Sequence, residues 1–141
     1  MNFTIKIVSL SGEIYSGEVE KVTLPSIEGQ VTILARHMPI VIPLNVGEVL
    51  VKTPKEIMSF SIGKGIFEFS NQKARLLVED VLMSDEISEE RAIMARKKAE
   101  EILAKGVPKE EKLQVVYQLR RSLVDLKIAR RKKKYTANIA D

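Results

Sequence analysis

Over its first 84 residues the chain repeats with a period of two. Phe3, Ile5 and Ile7 alternate with Thr4 and Lys6, Val19 and Val22 flank Glu20-Lys21, and Val49 and Val51 alternate with Leu50 and Lys52. The runs 57–62, 66–69 and 74–81 continue the pattern, which is that of short strands with one buried face. Turn signals separate them at Ser11-Gly12, Ser16-Gly17, Glu28-Gly29, Val46-Gly47, Thr53-Pro54, Gly63-Lys64-Gly65 and Asn71-Gln72. Most lie near the spacing of roughly 8 to 12 residues expected of a sandwich or barrel. No helix-length segment fits between the runs, which disfavours a parallel α/β fold. Pro39 and Pro43 bracket Ile40-Val41-Ile42 and predict an edge strand, because proline cannot donate to a ladder.

After Ser84 the pattern changes to Ala, Glu, Lys, Arg and Leu, the strong helix formers. Ser84 or Ser88 is placed to act as N-cap, and Glu89 and Glu90 fall in the first turn, where carboxylates favour the helix dipole. Ala92, Ala95, Ala99, Ile102 and Leu103 form one thin apolar stripe. Gly106 ends this helix and Pro108 opens the next, the usual asymmetry of helix ends. Leu113, Val116, Leu119, Leu123 and Leu126, with Tyr117 beside them, form the second stripe. The expected architecture is an all-β sandwich over 1–84 followed by an antiparallel α-helical hairpin over 85–141. Burial contributes about 25 cal/mol per Å² of apolar surface, so a stripe made largely of Ala holds the hairpin weakly and predicts that it detaches.

A length of 141 residues suits one domain plus an accessory element. With no Cys and a single His, disulfide scaffolds, thiolate metal sites and Cys nucleophiles are excluded. No stretch reaches the roughly 18 apolar residues of a membrane span, and 1–4 do not resemble a secretory signal. The reading is a soluble, intracellular chain. The net charge of +4 conceals an uneven distribution: 1–84 and 85–119 each sum to −1, whereas 120–134 carry +7. Arg120, Arg121, Lys127, Arg130, Arg131, Lys132, Lys133 and Lys134 face only Asp125 there, with Asp141 trailing. Such asymmetry suggests an interaction tail.

Material for catalysis is sparse. His37, between Arg36 and Met38, has no orienting carboxylate in sequence, so a loop or interface role is favoured over that of a base. Glu100-Glu101 lie three or four residues from Arg96, Lys97, Lys98 and Lys105, as on a solvated ionic face. Glu79-Asp80 is a possible divalent site at the end of a strand. Gly63-Lys64-Gly65 lacks P-loop spacing and precedes no helix, which favours a hairpin turn. The run 130–134 suits nucleic acid or anionic lipid by charge. Only Tyr117 and Tyr135 lie near it, so a stacking platform for bases is absent, and a solvated helix end is the plain alternative.

Taken together, Tyr15-Ser16-Gly17-Glu18-Val19, Leu24-Pro25, Glu28-Gly29-Gln30-Val31-Thr32-Ile33-Leu34 and His37-Met38-Pro39-Ile40 resemble the ε-subunit family of F-type ATP synthases. The family pattern there is approximately [FY]-S-G-x-V, L-P, E-G-x-x-G-[IV]-L and H-x-P-[LI]. Segments 60–68 and 76–78 resemble its later strands and 87–92 the start of its hairpin, so the likeness covers 3 to about 131. Thr32 stands where the family usually has Gly, and Ala35-Arg36 where Pro-Gly or Pro-Asn is common.

The resemblance implies a non-catalytic rotor subunit in the central stalk, whose sandwich contacts the γ subunit and the membrane c-ring. It implies a ring-facing loop containing Glu28, Gln30, Arg36, His37 and Met38. It further implies a hairpin that extends toward the catalytic head and inhibits ATP hydrolysis. Arg120, Arg121, Arg130, Arg131, Lys132, Lys133 and Lys134 would then face an acidic segment of the catalytic β subunits. Some bacterial relatives bind ATP through an Ile/Leu-Asp-x-x-Arg-Ala motif. Here Arg91-Ala92 match and Arg121 aligns, but Ser88, Lys98 and Asp125 replace Asp, Arg and Arg, which removes bidentate phosphate donors. No cofactor is expected, and ATP enters only as an optional regulatory ligand at Arg91 and Arg121. The implied location is the cytoplasmic face of a bacterial membrane, reached through the complex, with no nucleic-acid partner. The alternative is a free β-sandwich adaptor whose basic tail binds nucleic acid or anionic membrane.

Overall fold

The computed structural model describes residues 1–140, with side chains through Lys134. Asp141 and the side chain of Tyr135 lie outside the described residues. The chain divides into two compact units, Met1–Met83 and Ser84–Asp141.

The first unit holds ten strands: β1 Phe3–Ser9, β2 Gly12–Val19, β3 Lys21–Ser26, β4 Gly29–Leu34, β5 Ile40–Leu44, β6 Gly47–Lys52, β7 Ile57–Ile62, β8 Gly65–Ser70, β9 Lys73–Val78 and β10 Val81–Met83. Alternation places the buried residues as the pattern requires. Phe3, Ile5 and Ile7 are buried while Thr4 and Lys6 are exposed, and Val49 and Val51 are fully buried on β6. The strand order is β10-β7-β6-β3-β5-β8-β9-β1-β2, with β4 paired to β3. β3 pairs β6 through Lys21–Thr23 at its start and meets β5 only at Ser26↔Leu44 at its end. The sheet folds over at that single pair, so β4-β3-β6-β7-β10 form one layer and β5-β8-β9-β1-β2 the other. Tyr15 of β2 and Phe60 of β7 lie on different layers, and their rings meet at 6.1 Å in the core. The two layers thus close face to face around one core, with β2, β4, β5 and β10 carrying the edges.

Two features differ from the sequence reading. Gly63-Lys64 is not a hairpin turn: β7 pairs β6 and β10, whereas β8 pairs β5 and β9. The link crosses between layers and is held by the neighbouring 79–80 link, where Gly63 N donates to the Asp80 carbonyl at 3.0 Å and Glu79 N to the Lys64 carbonyl at 3.0 Å. β1 and β9 run parallel, a pairing invisible to local pattern because Ile5 meets Ala74. Elsewhere the turns agree. β8 and β9 are joined by Asn71-Gln72 at φ 51° and 61°, the left-handed pair that matches the twist of a two-residue hairpin. β5 has a partner along its length on one side only, as the two prolines suggest.

The second unit opens with a 3₁₀ turn at Ser84–Glu86, followed by α1 Glu89–Lys105 and α2 Lys109–Ala140. Ser88 is the N-cap: its hydroxyl accepts from Arg91 N at 3.3 Å. Gly106 at φ 86° closes α1, its N–H bonded to the Leu103 carbonyl. The Pro108 carbonyl accepts from Glu111 and Lys112 N and starts α2. Ala92 and Ala99 are buried, but Ala95 is exposed. Among the described side chains of α2 the buried ones are Val115, Ser122, Leu126 and Ile128, while Leu113 and Leu123 face solvent. The buried line thus departs from the line of leucines where Val115 and Ser122 are buried beside Val116 and Leu123, and meets it at Leu126. The small side chains Ala92, Ala99 and Ser122 are buried in place of larger ones, and Ser122 satisfies its hydroxyl by donating to the Leu119 carbonyl at 2.7 Å.

Candidate functional site

The expected ring-facing residues are not one loop. Glu28 sits in the Ile27-Glu28 turn between β3 and β4, and Gln30 at the second position of β4 pairs with Pro25. Ser26 holds that turn: its hydroxyl donates to the Gly29 carbonyl at 2.6 Å and accepts from Glu28 N at 3.2 Å. Arg36, His37 and Met38 lie beyond the other end of β4, in the link to β5. A six-residue strand at about 3.3 Å per residue puts roughly 20 Å between the groups.

The 35–39 link has its own anchors. Arg36 adopts φ 69°, a conformation costly for a residue with a Cβ, and its N–H donates to Gln72 Oε1 at 2.8 Å. The family commonly has Gly or Asn at this position, so Arg36 keeps the backbone shape those residues adopt easily. His37 Nδ1 lies 2.7 Å from the Met38 carbonyl oxygen. A carbonyl only accepts, so Nδ1 carries the proton and donates. The imidazole stands edge-on to Phe69 at 6.3 Å. The Met38 carbonyl therefore fixes the tautomer and orientation of the His37 ring within the loop.

Exposed apolar side chains mark both ends of the sandwich. Met38 is 72% exposed and Leu34, Val41 and Ile57 are also exposed. At the other end Leu10 is 88% exposed, with Ile27. Nearby, an open groove of about 480 Å³ is lined by Val8, Leu10, Gly65, Ile66 and Leu77, with Lys64 and Glu79.

In the second unit the basic residues are placed against acidic ones. Arg130 Nε lies 3.4 Å and Lys133 Nζ 3.9 Å from the Glu89 carboxylate, and Lys132 pairs with Asp85. Arg121 and Asp125 form an i,i+4 pair at 3.5 Å, with both side chains largely buried. Asp125, which stands where the ATP-binding pattern has Arg, therefore occupies one of the two aligned guanidinium groups. Arg91 lies in the first turn of α1. Arg96 pairs with Glu100 at 3.9 Å, as an ionic face requires. Sequence reasoning missed Glu89 and Asp85 as partners of the basic run; the signal was an acidic helix start set against a basic end in an antiparallel hairpin. Among the described residues no three His, Asp or Glu side chains are grouped as metal ligands, and the Glu79-Asp80 backbone holds the 63–64 link.

The family described as "ATP synthase, Delta/Epsilon chain, beta-sandwich domain" matches residues 2–84. The chain is similar to the ATP synthase epsilon chain of Caldicellulosiruptor bescii, 30% identical over 131 residues, 93% of this chain and 96% of that one. It is 41% identical over 105 residues to ATP synthase epsilon chain 1 of Methylococcus capsulatus, covering 74% and 75% of the two. Among solved structures it is similar to a chain in the Euglena gracilis mitochondrial ATP synthase, OSCP/F1/c-ring in rotational state 1. That likeness has a TM-score of 0.76 at 17% identity and covers 84% of this chain and 76% of the other. At that identity the likeness concerns the fold.

Proposed function

The chain belongs to the ATP synthase epsilon-chain family, and from that premise we propose that it is a non-catalytic central-stalk subunit whose hairpin restrains ATP hydrolysis. The observation that carries this reading is the extent of the family likeness, 93% of the chain in one relative, which takes in the hairpin as well as the sandwich. The sandwich anchors the subunit on the γ subunit and the c-ring, in keeping with the c-ring assembly that holds its structural relative. The hairpin moves between a folded state and one extended toward the catalytic β subunits. A partner biases these populations only through its differential affinity for them. No helix among the described residues is long and apolar enough to cross a membrane. As a stalk subunit the chain meets the membrane through the complex, on the cytoplasmic face of a bacterial cell. ATP is at most a regulatory ligand, because Arg121 is already engaged by Asp125.

The test is ATP hydrolysis by the assembled head at low salt, with the full chain or with a truncation after Ser84. Hydrolysis is expected to be several-fold faster with the truncated subunit, and equal rates would overturn the restraint.

Because Glu28 and Gln30 are separated from Arg36, His37 and Met38 by the length of β4, the two groups serve two partners, the ring and γ. Photoreactive crosslinkers attached to Cys at Gln30 and, separately, at Met38 are expected to capture different subunits. Capture of one and the same subunit from both positions would refute the division.

A further inference from the structure

We infer that the start of the hairpin, Asp85 and Glu89, is a built-in competitor that masks the basic end of α2 from acidic partners. Arg130 and Lys133, three residues apart on one helix face, converge on the single Glu89 carboxylate at 3.4 and 3.9 Å, and the adjacent Lys132 reaches Asp85. These acidic residues are separated by more than forty positions in sequence from the cations they meet. The contact exists only while the hairpin is folded, because α1 must lie antiparallel to α2 to bring Glu89 to Arg130.

The arithmetic of length supports the clasp. α1 has 17 residues and α2 has 32; at 1.5 Å per residue they extend about 25 and 48 Å. The end of α2 therefore runs past the start of α1, where the 3₁₀ turn at Ser84–Glu86 supplies the second acidic group. Glu89 is itself in the first turn of α1, a position at which the helix dipole favours an acidic side chain. The same cations cannot be fully paired with Glu89 and Asp85 and also with an external carboxylate surface. A binding element available in only a fraction of molecules loses apparent affinity by that fraction. The inference rests on the proposed function only for the identity of the external partner, an acidic protein segment.

The experiment uses the full chain and a fluorescently labelled ten-residue poly-glutamate peptide, with binding read by anisotropy at low salt. Exposed ion pairs each shift an equilibrium by roughly 1.5- to 5-fold, so Asp85→Asn with Glu89→Gln is expected to tighten binding about five-fold. Glu18→Gln with Glu101→Gln removes the same charge from positions outside the clasp and is expected to leave affinity within about twofold, the scale of one weak exposed pair. Adding Lys132→Gln and Lys133→Gln to the first pair is expected to abolish the gain. At about 1 M salt, where the screening length falls to about 3 Å, the difference is expected to vanish. Helical circular dichroism monitors the fold of each variant. Unchanged affinity in the clasp variant, or an equal gain in the charge control, would overturn the inference. Neither outcome depends on ATP hydrolysis, so failure of the truncation assay and failure here are separable.

Discussion

Phe60→Ala is expected to destabilise the sandwich by about 3–5 kcal/mol, the usual cost of truncating a buried aromatic ring. Phe60 lies on β7 with no exposed surface, and its ring meets Tyr15 of β2 across the core at 6.1 Å and 51°. Those strands are far apart in the pairing order β10-β7-β6-β3-β5-β8-β9-β1-β2, so the side chain ties layers that share almost no backbone hydrogen bonds. Removing it leaves a cavity at the seam. Phe60→Leu retains most of the apolar volume and is expected to cost about 1–2 kcal/mol, near the range of tolerated hydrophobic exchanges. Urea unfolding measures both. A loss below 1 kcal/mol for the alanine variant would mean that the layers close over the gap and are not held by this ring.

Gly65→Ala is expected to cost about 3 kcal/mol, at the upper end of overpacking penalties, although it adds only a methyl group. A Cβ on Gly65 would overlap the Leu77 carbonyl oxygen and stand 2.8 Å from Val78 Cα. Both are backbone atoms of β9, so no rotamer change relieves the clash and the strands must separate where β8 begins. Gly65 lies outside the left-handed region, so the cause is close approach and not torsional freedom. For a unit of this size 1 kcal/mol corresponds to roughly 4–8 °C, and the melting temperature of the sandwich is expected to fall by more than 10 °C at that rate. Faster amide exchange should be confined at first to β8 and β9. An unchanged melting temperature would show that the strands yield without loss of pairing.

The 63–65 segment also shows how far pattern reasoning reaches. Two glycines around a lysine between β-rich runs satisfy every local criterion for a hairpin, and β8 does begin at Gly65. What makes the link a crossover is that β7 pairs β6 and β10 while β8 pairs β5 and β9, a choice among strands made by burial of the whole core. The opposite case is 35–38. Ala35-Arg36 departs from the family pattern, yet Arg36 adopts φ 69° with its N–H on Gln72. A tertiary hydrogen bond replaces the intrinsic ease of Gly or Asn.

The basic run was legible as charge and illegible as a contact. Its excess is evident from 120–134, but Glu89 and Glu90 had a sufficient local explanation in the helix dipole. Only the antiparallel return of α2 brings Arg130, Lys132 and Lys133 to Glu89 and Asp85. The face of α2 that is buried was likewise undecided: the leucines propose one line and packing buries Val115 and Ser122 beside it, the two meeting at Leu126.

By itself the sequence determined the period-two strands, the change of regime near Ser84, a serine cap at Ser84 or Ser88, the break at Gly106 and the family likeness, because each is carried by short motifs of residues a few positions apart. The tertiary structure alone decided the parallel pairing of β1 with β9, the separation of Glu28 and Gln30 from 36–38, the buried face of α2 and the clasp. Each of these is a choice between long-range partners of similar local merit. Such choices are resolved by which arrangement buries the most apolar surface while leaving backbone and charged groups paired.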